Sequence, residues 1–223
     1  MHPLPLPRGF LFDMDGTLID NMPVHIQVWT QFMAELGVTI DPNRFHEQTA
    51  GKTNPEILRM YMGEHLTDEQ VTRYSQEKEA RYRRVYRDSV RPLPGLLEFL
   101  ERAHREGIAL ALATSAGREN IDFTLELLGL TGAFQAVIGS EQVRHGKPDP
   151  EAFLLAAEGL GLPPAGCMVF EDSYKGIEAG HRAGMPVVAI LTALSADQAL
   201  SLPGVVHVAR DYTGLNWFSN HGG

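Results

Sequence analysis

Two carboxylates separated by a single residue close an apolar run at Phe10-Leu11-Phe12-Asp13-Met14-Asp15-Gly16-Thr17-Leu18. On an extended chain alternate side chains share a face, so Asp13 and Asp15 start on one side before Gly16 lets the backbone turn. Two acids then stand at a strand's carboxyl end, the edge at which open parallel sheets bind ligands. An ordinary strand followed by an Asp-Gly turn fits the same residues. Thr114 and Ser115 follow a second apolar run, with Gly117 near the start of the next helix. Hydroxyls and amide N–H groups there could cradle an anion, or simply cap the helix. Lys147 precedes Pro148, which biases it toward extended backbone, whereas Asp149 and Pro150 read as the cap and first residue of a helix. Lys147 has no such structural role, and a solvated surface lysine is the alternative. Glu171 and Asp172 directly follow Val169-Phe170, and Asp172 alone would pass for a helix cap.

Together these groups are the parts needed to hold Mg²⁺ and a phosphoryl group while one acid attacks phosphorus. Phosphate monoesters hydrolyse so slowly in water that a site needs charge neutralisation and in-line positioning besides a nucleophile. Each demand has a candidate here.

The elements that must carry them follow from periodicity. After the first strand, Ile19 to Pro23 reads as a linker, and then Val28, Trp29, Phe32, Met33 and Leu36 fall on one helical face that Gly37 ends. A second amphipathic piece holds Ile57, Leu58, Tyr61 and Met62. A third opens with Thr67 and Gln70 at capping-box spacing and runs through Val71, Tyr74, Tyr82 and Val85. No segment between Pro23 and Arg91 alternates like a strand, so residues 20–91 are expected to form a small helical domain. Its Arg73, Lys78, Arg81, Arg83, Arg84, Arg87 and Arg91 read as a solvated helix face, with steering of anionic substrates as the alternative.

Beyond the cluster Arg91-Pro92-Leu93-Pro94-Gly95, helices near 96–105, 118–128, 150–158 and 174–183 alternate with strands at 108–113, 136–138, 168–170, 187–190 and, more weakly, 205–208. Apolar runs separated by helices imply a Rossmann-like parallel sheet covered on both faces. The first strand must join it across the insert, giving an α/β core of 1–19 and 92–223.

The chain has 223 residues and a formal net charge of -9. That length buries roughly 70% of the unfolded surface, enough for a core and an accessory domain. The acidic balance argues against nucleic acid or an anionic membrane as the main partner, and means that an anionic substrate needs a metal or a well-placed lysine. One cysteine, Cys167, lies inside an apolar run and reads as a small buried hydrophobe. The proline-broken start has no signal-peptide core, and no stretch is long enough to span a membrane, so a cytoplasmic protein is expected.

Asp13-Met14-Asp15-Gly16-Thr17, Thr114 after a strand, Lys147-Pro148 and Glu171-Asp172, in that order, resemble the four motifs of the haloacid dehalogenase superfamily of phosphohydrolases. The helical insert after the first motif resembles the cap of its β-phosphoglucomutase-like branch. The resemblance implies that Asp13 attacks phosphorus to form an aspartyl phosphate, and that Asp15 protonates the leaving oxygen and then deprotonates water. It implies Mg²⁺ held by Asp13, the Asp15 carbonyl and Asp172, with Glu171 adjacent or behind them. Thr114, the Ser115 amide and Lys147 would grip the phosphoryl oxygens. An acid two residues past the nucleophile favours phosphoryl transfer over dehalogenation.

The same resemblance places His25 at the spacing of a histidine that the mutases use, with a packed or surface histidine as the other reading, and likens Gly51 to the glycine of their cap loop. Where those mutases carry an arginine for a second phosphate, this chain has Asn54, and a neutral amide does not replace a bidentate guanidinium. Lys52 stands nearby as a possible source of charge. The expectation is therefore a monomeric, Mg²⁺-dependent phosphatase acting on small phosphorylated metabolites of the sugar or polyol type, with a phosphomutase as the alternative. Two remoter readings are a Schiff-base lysine at Lys52, as in phosphonoacetaldehyde hydrolases, and a non-catalytic phospho-receiver module, which would be shorter and lack the insert.

Overall fold

The structure, a computed structural model, describes residues 7–49 and 52–215. Gly51 and the first six residues of the chain's proline-rich start lie outside the described residues. Strands β1 (Gly9–Phe12), β2 (Ala109–Ala113), β3 (Ala136–Ile138), β4 (Cys167–Glu171), β5 (Val187–Ile190) and β6 (Val205–Ala209) form one sheet in the order β3-β2-β1-β4-β5-β6. All five pairings are parallel. The chain winds outward from β1 through β2 and β3, then crosses to β4 on the other side. The order therefore reverses between β1 and β4, where doubly wound sheets open a crevice.

The alternation of side chains along β1 supplies both faces of the core. Leu11 packs with Phe153 and Ala156 of α7 (Glu151–Gly159) and Ile177 of α8 (Tyr174–Arg182). On the opposite face Phe10 and Phe12 meet Phe99 of α5 (Leu96–Arg105), with ring centroids 5.6 and 6.4 Å apart. Burying each of these rings contributes on the order of 2–3 kcal/mol. Cys167 is buried at the start of β4, as its apolar neighbours imply.

The chain divides into two compact units, Met1–Asp20 with Arg91–Gly223, and Asn21–Val90. Outgoing and returning chain are tied together in the first, where the Leu93 N–H donates to the Leu18 carbonyl at 2.8 Å. The second contains α1 (Met22–Glu35), α2 (Pro42–Thr49), α3 (Asn54–Met62) and α4 (Asp68–Tyr86) around Trp29, Phe32, Met33, Phe45, Leu58 and Val71. Among its described residues there is no strand. Thr67 and Gln70 form the expected capping box of α4, and Thr53 with Glu56 forms another at α3.

Several local expectations change. The linker after β1 is shorter than Ile19 to Pro23, because Pro23 fits the first turn of α1, where its missing N–H has no helical partner to lose. Helix α2 is an addition to the expected elements, because Phe45 is the one large apolar residue in Pro42–Thr49 and a single residue sets no period. The five-residue α9 (Ala196–Leu200), set by a Ser195–Gln198 capping box, is too short to show any. Asp149 accepts from the Glu151 N–H at 3.0 Å, but Pro150 takes the cap position and the helix starts one residue later. Val85 is 43% exposed and outside the apolar seam of α4, whereas Lys78 lies within it at 1% exposure, not on a solvated face. Among the described residues no helix is long and apolar enough to cross a membrane.

Candidate active site

Register across the sheet decides which polar groups meet. Phe12 of β1 pairs with Phe170 of β4 and with Leu112 of β2, so Asp13, Glu171 and Ala113 leave the sheet at one level. The Asp13 N–H extends the ladder by donating to the Phe170 carbonyl at 3.0 Å. One carboxylate oxygen each from Asp13, Glu171 and Asp172 then lies within 4.8 Å of the other two. All three side chains are buried. Lys147, from the loop between β3 and α7, donates to Asp13 Oδ1 at 2.6 Å and Glu171 Oε1 at 2.9 Å, with its Nζ 4.8 Å from the Phe153 ring centroid. Its peptide bond to Pro148 is cis. Lys147 is thus no surface lysine.

Asp172 is no helix cap. Ser173 caps α8, its Oγ accepting from the Gly176 N–H at 3.1 Å, and the same Oγ and the Ser173 N–H donate to Glu171 Oε2 at 3.0 and 2.7 Å. Glu171 is therefore engaged at both oxygens, by Lys147 and by Ser173. Asp172 Oδ2 lies 3.1 Å from the Thr192 hydroxyl, which sits 2.6 Å from the Gly16 carbonyl. Two glycines make room: a Cβ on Gly16 would collide with the Asp172 carboxylate, and one on Gly176 with that of Glu171. Gly16 also turns through φ +78°, which only glycine adopts cheaply.

The turn after β1 is held by several bonds. Gly16 N–H donates to the Ile19 carbonyl at 2.7 Å and Leu18 N–H to the Met14 carbonyl at 2.8 Å. Tyr212, buried against Phe12, Phe99 and Phe170, donates its hydroxyl to the Thr17 carbonyl at 3.1 Å. Asp15 is half-buried and forms a parallel bridge with Ile19. On β2's side, Thr114 is buried, its N–H donating to the Ile138 carbonyl at 3.0 Å and its Oγ1 accepting from the Ala116 N–H at 3.1 Å. Ser115 is exposed. At the start of α6 (Arg118–Leu128) the Arg118 N–H is taken by Glu141 Oε1 at 2.9 Å, so the anion cradle expected there is reduced to the Thr114-Ser115 end.

Burial, then the neighbouring Glu171 and Asp15 charges, outweigh Lys147 and push the Asp13 carboxyl up to about 7. Asp172 is raised well above the usual carboxylate range, first by burial and then by Glu171 and Asp13. Burial alone would lower Lys147, but Asp13 and Glu171 outweigh it and hold the ammonium charged. The site is a buried cluster of three carboxyl groups that shares a single close ammonium, that of Lys147, among the described residues.

The insert has its own polar cluster. The His25 ring stacks on Tyr82 at 3.9 Å, and its Nδ1 lies 2.8 Å from Lys78 Nζ. An ammonium has donors only, so Nδ1 accepts and Nε2 carries the proton. Lys78 also donates to Glu79 Oε1 at 2.8 Å, which accepts from Asn54 Nδ2 at 2.7 Å. Burial first, then Lys78, lowers His25 to about 3, while Lys78 and His25 outweigh burial and lower Glu79 to about 2. Lys52 is exposed, with its N–H on the Thr49 carbonyl at 2.8 Å.

Sequence reasoning missed Thr192, Ser173, Tyr212, Gly176, Lys78 and Glu79 as parts of these clusters. Thr192 carried the signal that singled out Thr114, a hydroxyl just past an apolar strand. Lys78 carried another, a place in the stripe Val71, Lys78, Tyr82 at helical spacing.

A doubly wound parallel sheet with acids, a lysine and hydroxyls converging at its switch point defines the Rossmann-like α/β class and places a candidate ligand site at the carboxyl ends of its strands. Residues 7–184 match the model of the haloacid dehalogenase-like hydrolases, and the chain belongs to that family. It is 33% identical over 180 residues to fructose-1-phosphate phosphatase YqaB of Escherichia coli, covering 81% of this chain and 94% of that one. It is 30% identical over 210 residues to a phosphorylated carbohydrates phosphatase of Thermotoga maritima, covering 94% and 97%. Among solved structures it superposes on β-phosphoglucomutase of Clostridium difficile with a TM-score of 0.82 and 25% identity, over 94% of this chain and 93% of that one.

Proposed function

We propose that this chain is a Mg²⁺-dependent phosphatase that hydrolyses small phosphorylated metabolites, of the sugar or polyol phosphate type, through an aspartyl phosphate on Asp13. The observation that carries the reading is the ion pair of Lys147 with Asp13 and Glu171 beside Asp172, because it combines a nucleophile, an anchored cation and a buried oxygen donor set. Three carboxylates are hard oxygen ligands, a set that suits Mg²⁺ and not a soft metal. Asp13 and Asp172, with the Asp15 carbonyl, would hold the ion. Glu171, whose oxygens are already engaged, would support from behind. Bound there, Mg²⁺ would neutralise charge on the phosphoryl oxygens.

In the first half-reaction a carboxylate oxygen of Asp13 bonds to phosphorus as the bond to the leaving alcohol breaks, and Asp15 gives that oxygen its proton. In the second, Asp15 takes a proton from water as that water bonds to phosphorus, and the bond to Asp13 breaks to release inorganic phosphate. Lys147 lessens repulsion between Asp13 and the incoming phosphate. Thr114, whose oxygen accepts from Ala116, keeps its hydroxyl proton for a phosphoryl oxygen, beside the Ser115 amide.

Choice of the leaving alcohol is assigned, within the same reading, to the cap formed by residues 20–91, with His25, Gly51, Lys52 and Asn54 as its substrate-binding candidates. Asn54 is bonded to Glu79, a carboxylate, which suits a neutral part of a substrate and not a second phosphate. That favours water over a sugar hydroxyl as the acceptor, and so a phosphatase over a phosphomutase. The sugar class is supported by the fructose 1-phosphate and carbohydrate phosphates for which those two relatives are named, and the polyol class by a further relative, hexitol phosphatase A of Escherichia coli, 30% identical over 183 residues. A cytoplasmic location fits a protein that uses metabolite esters.

The test is turnover of p-nitrophenyl phosphate and a panel of sugar and polyol phosphates with Mg²⁺, against an Asp13→Asn control, together with an assay for glucose 6-phosphate from β-glucose 1-phosphate. Phosphate release by wild type alone is the expected result. Equal rates in both proteins would overturn the reading, and glucose 6-phosphate without phosphate release would replace it by the mutase.

A further inference from the structure

Thr192 lies two residues beyond β5, and its hydroxyl is the meeting point of three separate segments. Its Oγ1 is 2.6 Å from the Gly16 carbonyl, 176 residues earlier in the chain. It is also 3.1 Å from Asp172 Oδ2, 20 residues earlier. The turn after β1, the end of β4 and the end of β5 therefore converge on one oxygen. The hydroxyl has one proton to share between the Gly16 carbonyl and, in the ionised state that a cation requires, the Asp172 carboxylate, so it stands as the donor between two acceptor oxygens. Because a Cβ on Gly16 would strike the Asp172 carboxylate, that carboxylate lies directly over the turn. A side chain so placed has two distinguishable oxygens, and the hydroxyl selects the one that faces inward.

We propose that Thr192 is a positioning residue for metal binding: its hydroxyl holds Asp172 Oδ2 against the Gly16 turn and so leaves the other Asp172 oxygen for a divalent cation shared with Asp13. This rests on the metal site assigned in the reading above, and not on the identity of the phosphate ester. It adds to that site a residue from a third strand end.

The experiment is a calorimetric titration of the full chain with Mg²⁺, without substrate, for wild type, Thr192→Val, Thr192→Ser and Asp172→Asn. Valine preserves shape and removes the donor, so its Mg²⁺ affinity falls roughly ten- to a hundredfold. Serine keeps the donor and binds close to wild type, whereas Asp172→Asn loses binding. Turnover by Thr192→Val recovers at saturating Mg²⁺, which a general packing defect would not produce. If the valine variant does not yield folded protein, Thr192→Ala removes the same donor without crowding and gives the same comparison. Wild-type affinity in the valine or alanine variant, or serine as weak as valine, overturns the proposal. A wild-type protein that binds Mg²⁺ but hydrolyses no phosphate ester would overturn the phosphatase reading and leave Thr192's role intact. No Mg²⁺ binding by wild type, or unchanged binding by Asp172→Asn, would overturn the role itself.

Discussion

Phe12 and Phe170 sit opposite each other on adjacent parallel strands, their rings stacked 15° from parallel with centroids 4.6 Å apart. That one pairing sets the level at which the carboxylates leave the sheet, since Asp13 follows Phe12 and Glu171 follows Phe170. A slip by one residue would turn one strand's side chains over and send its acids to the other face. The geometry of the carboxyl cluster is tied to the apolar stacking behind it.

Asp13→Asn is isosteric but a poor nucleophile. The expected loss in p-nitrophenyl phosphate turnover is at least about 10³-fold with folding retained, as full kinetics and circular dichroism would show.

Lys147→Met leaves Asp13 and Glu171 facing each other without their shared cation. Removing one partner of a buried pair costs about 3–5 kcal/mol. Urea unfolding without Mg²⁺ near pH 8 should show a loss of this order, shrinking as acidification protonates Asp13, and turnover should fall roughly 10²- to 10³-fold.

Mg²⁺ affinity should depend on pH in one direction. Asp13, raised to about 7 by burial and by like charges, holds its proton below that pH, while the cation requires the carboxylate. Affinity therefore weakens as pH falls through about 7, and binding near pH 6 releases protons, which calorimetry in buffers of different ionisation enthalpy would detect. The stability of the metal-free protein runs the opposite way. A carboxyl with a raised folded pKa contributes fully below its unfolded value of 3.8, and that contribution is lost as pH rises through about 7.

The insert should be acid-labile. His25 is lowered from 6.5 to about 3, so the stability of its neutral form is complete above 6.5 and is lost as pH falls toward 3. Glu79, lowered from 4.5 to about 2, adds a loss in the same direction at lower pH. Melting temperature against pH should therefore fall more steeply for wild type than for His25→Gln between pH 6.5 and 3. Parallel curves would show that His25 does not carry the effect.

Gly176→Ala would ordinarily gain about 0.5–1 kcal/mol in a helix. Here the added methyl meets the Glu171 carboxylate, so the variant should instead lose about 1–3 kcal/mol in urea unfolding and bind Mg²⁺ more weakly.

The strands are legible in the order of residues alone, because Phe10 to Phe12, Leu110 to Ala113 and Val187 to Ile190 are continuous apolar runs. So are Asp13 after Phe12 and Glu171-Asp172 after Phe170, because a charge ending an apolar run marks where the chain leaves the core. The helical character of the stretch between Pro23 and Arg91 is legible too, since a period near 3.6 is local. What local pattern cannot express is a partner far along the chain. Lys78 reads as one more cation on a basic helix until packing places it against His25, Glu79 and the rings of Trp29 and Tyr82. Thr192 reads as a loop hydroxyl until the switch between β1 and β4 brings Gly16 and Asp172 to it. Folding in three dimensions settles those roles, because hydrogen bonds and pKa values depend on distance and burial, and both are set when distant segments come together.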